Sequence, residues 1–216
     1  KENGYKTAIV GKWQLNGLRI GDVDRKIAND NTRPYKFGFD EYSLWQLTKP
    51  KQNGERFANP LIEQNGNFLP RYENSYGPDI VSDYAVEFIK RNKDNPFFIY
   101  YPMLLVHDPF VPTPDSPEWS SIETRSTPDT RYFIDMVNYM DKIVGKIINE
   151  LKQQGVFENT LLIFVGDNGT PRQITSNTIN NTIPGGKGLT NKTGVNVPML
   201  VSWPSKIKNN STNSDL

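Results

Sequence analysis

The sequence predicts an α/β fold in which a mostly parallel sheet carries helices on both faces. Four short apolar runs are continuous rather than alternating, which is the pattern of strands buried on both faces. Two longer segments between them repeat apolar residues at helical spacing. Strands that alternate with amphipathic helices in this way are typical of a parallel sheet covered by helices.

The predicted strands are the most apolar runs of the chain, at Thr7–Val10, Phe97–Met103, Leu161–Gly166 and Pro198–Trp203. The first predicted helix has Asp79 as its cap and stops before Asn95-Pro96. The second has Thr127 as its N-cap and ends at Gly155.

The segments outside these elements differ in composition. Residues 19–78 are rich in Asn, Pro and aromatic residues and are predicted to form an ordered excursion, because the aromatic side chains require burial. Residues 170–193 are polar and punctuated by glycine, which predicts a mobile loop with one tight turn at 184–188. We expect one domain, itself partial, over 1–207, and a polar tail or a truncation edge over 208–216.

The composition excludes several classes of function. The 25 Lys and Arg nearly balance the 24 Asp and Glu, so no long-range attraction to nucleic acid or an anionic membrane is expected. The absence of cysteine excludes disulfides, thiolate metal sites and a cysteine nucleophile in this stretch. The apolar runs are shorter than the roughly 20 residues that a membrane span requires, so no span is expected.

Polar residues follow three of the four apolar runs, and the tight glycine turn adds one more: Lys12, Gln14, His107, Asp167, Asn168 and Lys187. Ligands of open α/β sheets collect outside the carboxyl ends of the strands, so these residues are the candidate site.

Each candidate also has a structural interpretation. Asp167-Asn168 with the glycine that follows can be only a turn, Lys12 a solvated surface lysine, and Lys187 part of a flexible loop. His107 is the only histidine and can be structural. Its place at a strand end favours a role in proton transfer near neutral pH.

Taken together, the candidates favour one kind of chemistry. The oxygens of Asp167 and Asn168 suit a hard divalent cation such as Ca²⁺. Two lysine ammonium groups can hold the oxygens of a tetrahedral anion. The implied substrate is a sulfate or phosphate ester.

Ordered motifs narrow this further. Residues 4–13 read Gly-Tyr-Lys-Thr-Ala-Ile-Val-Gly-Lys-Trp, and a Gly-Phe-Asp follows at 38–40. A His-x-Pro at 107–109, an Asp-Asn-Gly at 167–169 and a Gly-Lys-Gly at 186–188 come next in order. This set resembles the signature of the arylsulfatase-like sulfatases, which belong to the alkaline phosphatase superfamily.

The resemblance implies part of an alkaline phosphatase-like sulfatase core and the activity of a sulfuric ester hydrolase. It implies that Asp167 and Asn168 are ligands of one Ca²⁺ ion, that Lys12 and Lys187 bind the sulfate oxygens, and that His107 assists at the ester or leaving-group oxygen. The expected partner is a sulfated small molecule or glycan, and the expected location is the periplasm or the extracellular space.

Two features depart from the family pattern. Gln14 stands where many sulfatases have histidine; it can hydrogen-bond to substrate but cannot carry a proton at neutral pH. The family's nucleophile, a formylglycine made within a Cys/Ser-x-Pro-x-Arg motif, is expected upstream of Lys1 together with acidic residues that complete the metal site. The most similar string, Ser-Thr-Pro-Asp-Thr-Arg at 126–131, has its arginine one position later than this motif requires, so it is not the formylglycine motif. The isolated fragment is therefore expected to be inactive.

Two alternatives remain open at this point. A phosphodiesterase or phosphonate-ester hydrolase of the same superfamily shares the sheet and much of the metal chemistry. A non-catalytic relative that binds sulfated glycans is favoured only by Gln14.

Overall fold

A computed structural model describes residues 3–18, 24–50 and 55–213. The chain divides into two compact units, residues 1–150 and 151–216. The expected domain over 1–207 stays a prediction, and residues 208–213 of the expected tail contain no helix or strand.

The first unit contains a five-stranded mixed sheet in the order β4-β3-β2-β1-β5. Its strands are β1 (Lys6–Lys12), β2 (Glu41–Trp45), β3 (Ile62–Gln64), β4 (Asn67–Phe68) and β5 (Phe97–Tyr100). The pairs β1–β2 and β1–β5 are parallel, whereas β2–β3 and β3–β4 are antiparallel. The carboxyl ends of β2, β1 and β5 therefore lie at one edge of the sheet.

The helices that begin in this unit are α1 (Arg25–Ala28), α2 (Arg33–Lys36), α3 (Gly77–Asn92) and α4 (Tyr132–Gln153). Helix α3 packs on β1, β2 and β5. Helix α3 also contacts α4, where the Tyr139 hydroxyl donates to Oδ2 of Asp79 at 2.8 Å. Burial raises the pKa of Asp79, and the hydrogen bond from Tyr139 acts in the opposite direction.

The core beneath the sheet edge is built from β1, β2 and the residues that follow them. Its side chains are at most 5% exposed and contact one another: Ile9, Trp13, Tyr42, Leu44 and Leu47. Burial of such apolar side chains stabilises the fold by about 1.5–3 kcal/mol each. The strand ends are thus anchored in a close-packed cluster.

The second unit contains two antiparallel pairs, β6 with β9 and β7 with β8. Its elements are β6 (Leu162–Val165), β7 (Thr175–Asn177), β8 (Thr182–Pro184), α5 (Lys192–Val195) and β9 (Met199–Ser202).

All four predicted strands exist, but the expectation that each is buried on both faces is wrong for three of them. In β5, Phe98 is 51% exposed and Tyr100 is 53% exposed. In the β6–β9 pair, Ile163 is 52% exposed and Met199 is 63% exposed. The reason is position, since β5 is an edge strand and β6 and β9 form a two-stranded sheet.

Other local predictions also need correction. Residues 170–193, predicted as a mobile loop, contain the β7–β8 hairpin, in which the backbone groups of the two strands pair. Asp79 lies inside the first turn of α3 rather than capping it, since Tyr76 is the N-cap. Thr127 does not cap α4, which begins at Tyr132.

The predicted excursion over residues 19–78 is confirmed as ordered in the parts that are described, and it supplies β2, β3 and β4. Tyr42 and Trp45 are buried, as expected, whereas Phe37 is 58% exposed. Its segments 19–23 and 51–54 lie outside the described residues. None of the described helices has the length and apolarity needed to cross a membrane.

Candidate functional site

The Gly-Lys-Trp motif ends β1, and its glycine is required by close backbone packing. Gly11 has φ +117°, and a Cβ at this position would lie 2.1 Å from the carbonyl oxygen of Pro102. The same oxygen accepts the backbone N–H of Lys12 at 2.8 Å. Lys12 is therefore fixed at the carboxyl end of β1, beside the continuation of β5.

The tryptophan of the motif anchors this strand end in the core. Trp13 is 5% exposed, and its ring packs edge-on against Phe37 with the ring centroids 5.5 Å apart. Its indole N–H donates to Oδ1 of Asn16 at 2.7 Å. Lys12 and Gln14 on either side of Trp13 are only partly buried, so the tryptophan holds the backbone while both neighbours remain accessible.

Gln14 is oriented by a residue that the sequence did not identify. Its side-chain amide donates to the side-chain oxygen of Gln46, which follows β2. Both residues have left-handed backbone conformations, with φ 58° at Gln14 and 62° at Gln46. Such conformations are uncommon for residues other than glycine and cluster at functional sites. The rule of inspecting strand ends would have found Gln46 if β2 had been predicted.

His107 lies on the loop that follows β5, and its ring is oriented by the next residue. Nδ1 is 2.7 Å from the carbonyl oxygen of Asp108 and 2.9 Å from its carboxylate Oδ1. Because a carbonyl oxygen only accepts, Nδ1 is the donor, and proton transfer to a substrate falls to Nε2. The side chain is 36% exposed, so a ligand can reach it.

In the second unit, Asp167 and Asn168 follow β6 directly and are both exposed. The loop that carries them is held by the glycine after them. Gly169 donates its N–H to the Gly194 carbonyl at 2.9 Å, and a Cβ on Gly169 would lie 2.0 Å from the Thr193 carbonyl oxygen. Only glycine permits this approach between the loop and α5.

Lys187 is held against the same loop. Its backbone N–H donates to the Thr170 carbonyl at 2.9 Å, three residues after Asp167. The preceding Gly186 lies so close to Thr193 that a Cβ would be 2.1 Å from the threonine Oγ1. The glycine turn predicted from the sequence therefore brings Lys187 to the strand end that carries Asp167.

The donor chemistry fits part of a calcium site. Asp167 supplies a carboxylate and Asn168 an amide oxygen, both of which are hard ligands, whereas Ca²⁺ takes six to eight oxygens. Over residues 3–18, 24–50 and 55–213, no three histidine, aspartate or glutamate side chains come together as a metal site. The two residues can thus contribute to a Ca²⁺ site but do not complete one.

The structure groups the six candidates into two sets. Lys12 and Gln14 lie at the carboxyl end of β1 and His107 on the loop that follows β5, all in the first unit, and the other set is Asp167, Asn168 and Lys187 in the second unit. That all six act on one substrate stays a prediction.

Two residues of the sequence motifs have a structural role instead. The Asp40 carboxylate accepts from both the backbone N–H and the hydroxyl of Thr7, each at 3.0 Å. The Thr7 hydroxyl also donates to the Gly38 carbonyl at 2.9 Å. These bonds join the amino-terminal ends of β1 and β2, opposite the candidate residues, and set the alignment of the two strands.

Comparisons with known proteins agree with these motifs. The Sulfatase family model matches residues 1–215. An N-acetylgalactosamine-6-O-sulfatase of Bacteroides thetaiotaomicron is 32% identical over 270 residues, covering 97% of this chain and 51% of the relative. A sulfatase of Formosa agariphila is 31% identical, covering 86% of this chain and 33% of the relative. The chain therefore spans about half of the first relative's length and a third of the second's.

Solved structures give the same result for the fold. The crystal structure of Ps i-CgsB superposes with a TM-score of 0.69 at 27% identity, covering 94% of this chain and 46% of that one. Its complex with k-i-k-neocarrahexaose superposes with a TM-score of 0.64 at the same 27% identity. The mixed sheet with its helices is thus part of an alkaline phosphatase-like sulfatase core, and the chain belongs to the sulfatase family.

Proposed function

We propose that the protein containing this chain is a sulfuric ester hydrolase that releases sulfate from a glycan. The observation that carries the proposal is the group of polar residues at one sheet edge. Lys12 is the last residue of β1 and Gln14 lies two residues later, Gln46 follows the neighbouring β2, and His107 lies on the loop after β5, the strand on the other side of β1. A cation, two amides and an imidazole in this arrangement suit a tetrahedral anion and the oxygen that leaves it.

The roles proposed for the residues follow from their chemistry. Lys12 and Lys187 bind sulfate oxygens and offset the negative charge that grows on them as the S–O ester bond breaks. Gln14 donates a hydrogen bond to the substrate. His107 acts as the imidazolium: it gives the proton on Nε2 to the departing sugar oxygen and becomes the neutral ring, whose Nδ1–H still donates to the Asp108 carbonyl.

Two groups outside these side chains complete the proposal. Ca²⁺, when bound, is held in part by Asp167 and Asn168 and supplies positive charge beside the sulfate. A formylglycine supplies the attacking hydroxyl group. The 216 residues contain no Cys/Ser-x-Pro-x-Arg string, so these residues alone are expected to hydrolyse no sulfate ester.

A glycan is proposed as the alcohol because of the relatives' names. One relative is an N-acetylgalactosamine-6-O-sulfatase, and one similar structure contains k-i-k-neocarrahexaose. By family precedent, we also propose that the protein is exported to the periplasm or secreted.

The test compares three substrate classes on the full-length protein after maturation by a formylglycine-generating enzyme. The panel contains N-acetylgalactosamine 6-sulfate, 4-nitrophenyl sulfate and a phosphodiester, with bound metal measured on the same sample. Sulfate release with one Ca²⁺ per molecule is expected. Preference for the phosphodiester with two transition-metal ions would identify a phosphodiesterase, and glycan binding without turnover would identify a non-catalytic relative.

A further inference from the structure

Arg56 is a buried arginine that contacts both the last residue of β2 and the loop that carries His107. It is 3% exposed, and the carbon of its guanidinium group lies 4.5 Å from the centroid of the Trp45 ring. Burying a guanidinium group removes its hydration, and this costs free energy unless the group packs against and hydrogen-bonds to other groups.

On one side, Arg56 contacts the end of β2. Trp45 is the last residue of β2 and is the parallel partner of Lys12 in the sheet. Its carbonyl accepts the backbone N–H of Trp13 at 3.1 Å. The guanidinium group therefore packs on the ring of a residue whose carbonyl holds the backbone of Trp13, the residue that follows Lys12.

On the other side, Arg56 contacts the loop that carries His107. Its Nη1 donates to the carbonyl oxygen of Asp108 at 3.4 Å. The same oxygen lies 2.7 Å from Nδ1 of His107. A carbonyl oxygen has two lone pairs and can accept both bonds. Arg56 and the His107 ring thus share one acceptor.

The backbone of Arg56 is itself immobilised by the start of α3. A Cβ on Gly77 would lie 2.0 Å from the Arg56 carbonyl oxygen, so the two backbones are in direct contact. Gly77 also donates its N–H to the Phe57 carbonyl at 2.8 Å. The backbone that carries the guanidinium group is therefore held in place by α3.

We propose that Arg56 is a positioning residue for proton transfer by His107. By holding the Asp108 carbonyl against the end of β2, it sets the direction of the Nδ1 bond and so the direction in which Nε2 points. This inference rests on the proposed function, in which His107 protonates the departing oxygen. It adds a residue that acts on the reaction through Asp108 and His107.

The test uses the full-length, matured enzyme and two sulfate esters that differ in their need for an acid. The leaving group of N-acetylgalactosamine 6-sulfate is the sugar alkoxide, which is strongly basic. The leaving group of 4-nitrophenyl sulfate is 4-nitrophenolate, which is a stable anion. General acid catalysis contributes about 10²–10⁴-fold, so partial misdirection of the acid in Arg56→Met should lower kcat roughly 10–100-fold on the sugar sulfate. The loss on 4-nitrophenyl sulfate should stay below about 3-fold, as the phenolate needs little protonation.

Arg125→Met is the matched control. Arg125 is also buried, at 5% exposure, lies 5.1 Å from the Trp119 ring centroid and donates to the Glu73 carbonyl at 2.6 Å. Like Arg56, it is buried, packs on a tryptophan ring and donates to a backbone carbonyl, but that carbonyl does not belong to Asp108. Arg125→Met is expected to have the same kcat relative to wild type on the sugar sulfate as on 4-nitrophenyl sulfate. If Arg56→Met does not fold, Arg56→Lys is used, since an ammonium group keeps the charge but loses the planar fork.

A double-mutant cycle separates positioning from other roles. In a His107→Ala background, Arg56→Met should cause no further loss on the sugar sulfate, because there is no ring left to orient. Independent, additive losses, or equal losses on both esters, would overturn the inference while leaving the proposed function intact. Unchanged activity of His107→Ala alone, or no sulfate release by the wild type, would overturn the proposed role of His107 and this inference with it.

Discussion

Gln14 occupies the position after Gly-Lys-Trp with an amide rather than an imidazole. Its bond to Gln46 uses the Gln14 amide nitrogen as donor and the Gln46 oxygen as acceptor. The second amide hydrogen and the oxygen of Gln14 can still bind substrate, but neither atom exchanges a proton at neutral pH. Gln14 is thus suited to binding rather than to acid catalysis.

Gln14→Ala is expected to raise KM roughly 10-fold with a smaller change in kcat, since a hydrogen bond to a charged group contributes about 1.5–3 kcal/mol. Steady-state kinetics of sulfate release measure both constants. Gln153→Ala, at an exposed position near the end of α4, is the control. Identical kinetics for the two variants would show that Gln14 does not bind substrate.

Glu63 is a second residue whose environment has a measurable consequence. It is 2% exposed and accepts a hydrogen bond from the Thr48 hydroxyl at 2.7 Å. Burial raises the pKa of Glu63, and the hydrogen bonds and the charge of Lys49 only partly oppose this. The folded state therefore binds this proton more tightly than the unfolded state does.

The sign of the pH dependence follows from this. Below the unfolded pKa of about 4.3, Glu63 is protonated in both states and contributes no pH dependence. As pH rises through the unfolded pKa and then the higher folded pKa, the unfolded state loses its proton first and the free energy of unfolding falls. Glu63→Gln removes this loss and keeps an acceptor for Thr48.

Glu63→Gln should therefore raise the melting temperature, relative to wild type, more at pH 8 than at pH 4. Thermal melts of the full-length protein at both values measure the difference. Glu87→Gln, with a side chain that is 59% exposed, should change little between them. The same shift for Glu63→Gln at both pH values would argue against a raised pKa in the folded state.

At the scale of elements, Gly11, the residue before the last of β1, determines whether the end of this strand can form. An added Cβ at Gly11 meets the Pro102 carbonyl oxygen at 2.1 Å, and φ +117° is itself unfavourable for any other residue. The Cβ would also break the hydrogen bond from the Lys12 backbone N–H to the same oxygen. The stability of the strand end therefore depends on this contact.

Gly11→Ala is expected to destabilise the protein by about 2–4 kcal/mol, from backbone strain and loss of the Lys12 bond. Gly145→Ala in α4 is the control, because its Cβ would meet nothing within 4 Å and alanine favours a helix. Chemical denaturation of the full-length protein measures both. A Gly11→Ala variant as stable as wild type would contradict the close approach of β1 to Pro102.

The elements differ in how far their sequences reveal them. The first strand was predictable because Thr7–Val10 is a continuous apolar run. Strand β2 was not, since it contains Glu41 and Ser43, and Ser43 is nevertheless fully buried. Missing β2 also hid Gln46. The exposure of β5, β6 and β9 was unpredictable because an apolar run does not reveal which neighbours cover it.

At the scale of the whole molecule, the sequence carries more about the site residues than about their assembly. Their order along the chain predicted the family, which the Sulfatase family model confirms, whereas the roles of Lys12 and His107 in one site stay a prediction. Arg56 could not be found in this way, because it lies in a polar stretch and matters only through contacts distant in sequence. The sequence gives no periodic signal for such contacts.

The central claim is that the end of β1 binds the sulfate of the substrate. It is tested most directly by kcat/KM for sulfate release from N-acetylgalactosamine 6-sulfate by the full-length, matured protein carrying Lys12→Ala or Lys6→Ala. Lys6 lies on the same strand but at its exposed amino-terminal end. A loss of about 10²–10³-fold is predicted for Lys12→Ala and none for Lys6→Ala. Wild-type kcat/KM in both variants would contradict the claim.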